Sequence, residues 1–114
     1  MSKKNDIEYL NFIIEKIEDL ESFIIKFKKI SLLLEDTMGK DASLMCLLQI
    51  GETLNKLNNT FSLLNENDIK GAYDVRNFIA HDYEGVHLAL IEHIIRINLP
   101  KLKETILQII KEEE

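Results

Sequence analysis

"IEYLNFIIEKIEDLESFIIKFKKISLLLE", residues 7–35, decides the fold. Leu10, Ile13, Ile17, Leu20, Ile24 and Phe27 recur at three-four spacing without a break, which is the period of a helix buried along one face. Phe23, Ile30 and Leu34 widen the apolar surface in the later half. The spacing predicts one continuous helix, roughly 40 Å long at 1.5 Å per residue. An apolar face of that length needs several other helices to cover it.

Working outward, "EDTMGKD" (residues 35–41) interrupts the pattern, with Gly39 read as a C-cap and Asp41 as the N-cap of a second helix over 42–58. Leu44, Leu47, Gly51 and Leu54 share one stripe of that helix, and a glycine on a buried stripe marks a close helix approach. "NNTFSLLNEND" (58–68) is aperiodic and reads as a connection. A third helix is predicted over 69–83, ended by Glu84 and Gly85, and a last one over 86–112. Its stripe is Leu88, Ile91, Ile95, Leu99, Leu102, Ile106 and Ile109, and Pro100 predicts a kink or break there, because its ring clashes with the carbonyl of Arg96. No alternating apolar and polar run points to a strand. The expected fold is all-α, an up-and-down bundle of four or five helices. It forms a single domain over 1–114, with 1–5 and 111–114 frayed.

Composition agrees and narrows the function classes. The 114 residues are 46% hydrophobic and 30% charged, with one proline and four glycines, as expected of a soluble helical domain. No window is long and apolar enough for a membrane span, and no signal peptide is legible, so no membrane partner and a cytoplasmic location are expected. The single cysteine, Cys46, excludes an intrachain disulfide and sits in "SLMCLLQI", where it reads as a small buried hydrophobe. A net charge of -6 argues against broad nucleic-acid binding through phosphate neutralisation, and no DNA partner is expected. His87 and His93, six apart, project to different sides of a helix, so neither a metal site nor a cofactor is expected. Lys26, Lys28 and Lys29 read as a solvated helix face.

One stretch stands out chemically: "RNFIAHDY", residues 76–83, which holds one of two arginines, one of three histidines and one of three tyrosines. On a helical wheel Ala72, Val75, Phe78 and Ile79 fall on the core arc, with Asp82 at its edge near the helix end. The opposite arc carries Tyr73, Asp74, Arg76, Asn77, Ala80, His81, Tyr83 and Glu84, too aromatic and varied for a plain Lys/Glu surface. An Arg offers a fixed cation for phosphate, and a His moves protons near neutrality. That pair is sufficient for metal-free cleavage of RNA, with the ribose 2′-OH as internal nucleophile. Spacing alone leaves this open against the plainer reading of a salt-bridged Arg and a satisfied surface His. Glu52, on the core-lining helix, would orient the Arg76 guanidinium if it reached it.

The pattern R-x4-H-x-Y in this stretch resembles that of the HepT-like branch of the HEPN superfamily, the toxin partners of minimal nucleotidyltransferases. "DASLMCLLQIGETLNKL" resembles the family's second helix, with Ile50, Gly51 and Glu52 at its Ile-Gly-Glu. "INLPKLKETILQII" resembles its Leu-Pro-x-Leu ending. The likeness spans about residues 7–110, in order. The resemblance implies a HEPN-like homodimer whose two motif helices face across a cleft, acting as a metal-independent endoribonuclease that leaves cyclic phosphate ends. It implies Arg76 and His81 as the catalytic pair, with Asn77 beside them in support. It implies Tyr83 as the residue on which a cognate nucleotidyltransferase antitoxin places AMP, silencing the toxin of this toxin–antitoxin pair. The alternative is a non-catalytic interaction module that binds a nucleotidyltransferase or a nucleotide. Asp82 stands where the family commonly has glycine, and the chain has no Trp before the motif, where many members carry one.

Overall fold

A computed structural model describes residues 3–113. The elements are α1 (Lys3–Phe27), α2 (Ile30–Glu35), α3 (Thr37–Leu54), α4 (Glu66–His81), α5 (Leu88–His93), a π-helical turn (Ile94–Asn98) and α6 (Leu99–Glu113). Among the described residues there is no strand beyond a single bridge between Phe61 and Leu64. The all-α expectation holds. Helical backbone begins at Lys3 and runs to Glu113, covering most of the two segments expected to fray; residues 1, 2 and 114 lie outside the described residues.

The first helix provides the spine. Leu10, Ile13, Ile17 and Leu20 are fully buried, joined by Leu44, Leu47, Ile50 and Leu54 from α3 and Leu99, Ile106 and Ile109 from α6. Cys46 lies among them as an apolar filler, its thiol pushed up first by burial and then by the charge of Asp19.

The predicted unbroken helix over 7–35 is not what forms. Lys28 adopts φ 74° and splits it into α1 and α2. A non-glycine residue in the left-handed region costs on the order of 1–3 kcal/mol. The bend turns Leu33 and Leu34 inward, where both are buried against α3, whereas a straight helix would carry them past it. Periodicity could not reveal the bend, because Phe23, Ile30 and Leu34 keep helical spacing whether or not the axis turns.

The next cap also differs from expectation. Asp36, not Asp41, is the N-cap of α3, accepting a hydrogen bond from the Gly39 N–H at 2.8 Å. Gly39 is inside α3 and not at a C-cap. A Cβ there would lie 2.5 Å from the Leu33 carbonyl oxygen, so glycine permits the sharp α2–α3 corner. Asp41 is left without a capping duty.

The asparagine-rich connection between α3 and α4 is fastened by an acid the sequence reading passed over. Asp6 in the first turn of α1 is completely buried. It accepts hydrogen bonds from Asn58 N–H (2.9 Å), Asn59 N–H (2.7 Å) and the Asn59 side-chain amide (2.9 Å). Phe61 and Leu64 then fold inward to the core. Asn65 caps α4 through the Asp68 N–H at 2.9 Å, and Glu66 and Asp68 complement the positive end of its dipole.

The irregularity expected at Pro100 lies just before it. The Leu99 N–H bonds back to the Ile94 carbonyl, one residue further than in an α-helix. The wider turn relieves the proline ring of the Arg96 carbonyl without stopping the helix.

Candidate functional site

The site helix α4 packs antiparallel on α3, and the approach is set at Gly51. A Cβ at this position would lie 2.5 Å from the Ala72 carbonyl oxygen and 2.8 Å from the Arg76 Cβ. The nearer obstacle is backbone, so no rotamer change can make room. Gly51→Ala should therefore cost about 1–2 kcal/mol net, even though alanine's better helix propensity returns up to about 1 kcal/mol. Urea unfolding of the two proteins measures it, and equal midpoints would contradict the close approach.

With the backbones this near, the residue after the glycine reaches across. Glu52 Oε1 accepts from Arg76 Nη2–H at 2.7 Å and from Nε–H at 3.1 Å. Arg76 Nη1–H donates to Asn77 Oδ1 at 3.0 Å, and the guanidinium carbon lies 5.6 Å from the Tyr73 ring centre. Three of the five guanidinium N–H donors are thus engaged, leaving one on each terminal nitrogen for an incoming anion. The structure brings together Arg76, Asn77 and Glu52, as the sequence allowed.

His81 is the last residue of α4, about 140° around the axis from Arg76 by helical geometry. It is exposed, and no hydrogen-bond partner for its ring exists among the described residues. Asp82 beside it is turned to a local task, its Oδ1 accepting from the Gly85 N–H at 3.1 Å to close the turn after α4.

Tyr83 packs its ring half-buried against the core and sends its hydroxyl to the start of α3. The O–H donates to Asp41 Oδ1 at 3.0 Å, with the Asp41 carbonyl oxygen at 3.3 Å. Burial, and after it the hydrogen bond and charge of Asp41, raise the phenol above its ordinary range. This contact was not foreseen, since Asp41 had been read as a cap.

Phe78 corrects the helical wheel. Placed on the core arc by spacing, it is 68% exposed. The reason is that α4 packs mainly on α3, and Phe78 lies on the side of α4 turned away from that contact. Between α4 and the π turn lies a hollow of about 560 Å³ floored by Leu47, Ile50, Ala72, Val75 and Leu99. None of Glu52, Arg76, Asn77, His81 or Tyr83 lines it, so the polar face of α4 is a separate surface. Among the described residues no cluster of His, Cys, Asp and Glu could hold a metal ion, and no helix is long and apolar enough to cross a membrane.

The fold is thus a helical bundle whose exposed helix carries an Arg held by an acid from its neighbour and, five residues on, an exposed His without a hydrogen-bond partner among the described residues. The family model described as "Ribonuclease HepT-like" matches residues 13–109, and the chain belongs to this HepT-like family. The matched span includes Glu52, Arg76, Asn77, His81 and Tyr83. No solved structure matches the chain.

Proposed function

We propose that this protein is a metal-independent endoribonuclease toxin that works as a homodimer and is silenced when a minimal nucleotidyltransferase partner transfers AMP to Tyr83. The observation that carries the reading is the contrast between the two motif residues. Arg76 is fixed by Glu52 and Asn77 with two donors to spare, while His81 stands exposed at the helix end with no competing partner among the described residues. A fixed cation suits a phosphate whose charge grows in the transition state, and an unencumbered imidazole suits proton transfer.

In this mechanism the ribose 2′-OH of RNA attacks the adjacent phosphorus, and the 5′-oxygen leaves. His81 handles the proton and Arg76 stabilises the charged phosphorane, so a 2′,3′-cyclic phosphate results. A second copy supplies the facing helix that turns the open face of α4 into a cleft. AMP on Tyr83, two residues from His81, adds negative charge and bulk where RNA must lie. The acidic balance of the chain, -6 overall, limits RNA binding to that local cleft.

The test is purified protein with RNA in excess EDTA at neutral pH. Fragments ending in cyclic phosphate are expected. Intact RNA would instead identify a non-catalytic module that binds the nucleotidyltransferase or a nucleotide.

A further inference from the structure

Tyr83 is held in a way that the nuclease reaction does not require. Its ring is half-buried against the core, so the hydroxyl has a fixed position, and its proton points at the Asp41 carboxylate at 3.0 Å. That carboxylate is otherwise uncommitted. Asp36 performs the capping of α3, and Tyr83 is the side-chain partner of Asp41 among the described residues. Asp41 is exposed, so the pair meets at the surface where another macromolecule can reach it. Tyr73, inside α4, has its ring beside Arg76 and no carboxylate hydrogen bond among the described residues.

We propose that Asp41 is the proton acceptor for nucleotide transfer to Tyr83, a group supplied by the modified chain and not by the transferring enzyme. The inference rests on the reading above that Tyr83 is the AMP acceptor. In the step, Tyr83 Oη forms a bond to the α-phosphorus of a nucleoside triphosphate. The bond from that phosphorus to the bridging oxygen breaks, pyrophosphate leaves with the electron pair, and the phenol proton passes to Asp41 Oδ1 and then to water. A phenol titrating near 10 is almost wholly protonated at neutral pH, so it needs a base within hydrogen-bond reach as it attacks. In protein kinases an aspartate plays this part, accepting the proton of the substrate hydroxyl. By the same geometry Tyr83, and not Tyr73, is the expected acceptor, since Tyr73 has no such base among the described residues.

The experiment follows AMP incorporation by intact and peptide mass spectrometry, using the full chain, the partner nucleotidyltransferase and magnesium ATP. Wild type is compared with Asp41→Asn, Asp41→Ala and Asp41→Glu, each checked for helicity by circular dichroism. The asparagine oxygen can still accept the tyrosine hydrogen bond but cannot take its proton. Asp41→Asn is therefore expected to be as slow as Asp41→Ala, about 100-fold or more below wild type in kcat, with KM for the chain unchanged. Asp41→Glu should recover part of the rate. Wild-type speed in Asp41→Asn overturns the role of Asp41 while leaving Tyr83 as the acceptor. Absence of AMP on Tyr83 of the wild type overturns the acceptor reading and the role of Asp41 with it.

Discussion

His81→Ala should lower RNA cleavage by about 10²–10⁴-fold, the usual worth of a positioned acid–base group, while leaving the protein as stable as before. The two halves of that expectation have separate grounds. Loss of rate follows because no other imidazole lies on α4, and His87 and His93 belong to the next turn and helix. Unchanged stability follows because His81 is exposed at a helix end without a hydrogen bond, and such surface changes stay within about 0.5 kcal/mol. Cleavage timed in EDTA and thermal unfolding by circular dichroism check both. Equal rates in the two proteins would remove His81 from the reaction. Arg76→Ala is a poorer probe, since it also strips Glu52 and Asn77 of their partner and its loss of rate would mix chemistry with local rearrangement.

Asp6→Ala should lower stability by about 2–4 kcal/mol at pH 7, given charged hydrogen bonds worth about 1.5–3 kcal/mol and the added cost of unsatisfied donors. The carboxylate is completely buried and is the acceptor for two consecutive backbone N–H groups of the α3–α4 connection. Burial works to raise its pKa, but the hydrogen bonds from Asn58 and Asn59 outweigh it and hold the carboxyl below its ordinary value. A depressed folded-state pKa means the contribution is complete above the unfolded value, about 3.9, and fades as pH falls through the lower folded one. The gap between wild type and Asp6→Ala, read from urea midpoints, should therefore stay constant from neutral pH down to about pH 5 and close in more acid solution. A gap that persists undiminished at pH 2 would show that the loss came from packing and not from the charge.

These two residues differ in how far a sequence reader could reach them. The buried stripe of α1 was legible because Leu10, Ile13, Ile17 and Leu20 obey a period that only one face can satisfy. The fork between Glu52 and Arg76 was half legible, since Gly51 on a core stripe announces a close approach and its neighbour must then lie at the seam. Asp6 was not legible, because nothing in "MSKKNDIEYL" says that a loop fifty residues on will need an acceptor. The Asp41–Tyr83 contact needs the antiparallel register of two helices, which local patterns do not contain. The bend at Lys28 needs a backbone angle, and side-chain periodicity is blind to it. Phe78 failed for a different reason. A helical wheel sorts residues by direction and assumes close packing in each apolar direction, whereas on that side of α4 the described residues leave Phe78 exposed.

The π turn at Ile94–Asn98 behaves like a phase shifter between two gears. Ile91, Ile95 and Leu99 are spaced by four and four, a drift of about 80° in a regular α-helix. The wider turn takes up part of that drift, so that Ile106 and Ile109 arrive facing the same core as Ile91 and Ile95. The angular setting of α6 on α1 is thus fixed by a count of residues and not by their chemistry. A substitution in this turn changes one contact, whereas a single inserted or deleted residue rotates everything after it. Chain length is therefore held more tightly here than composition, on a surface-facing stretch where exposed Arg96 and Ile97 would otherwise suggest freedom.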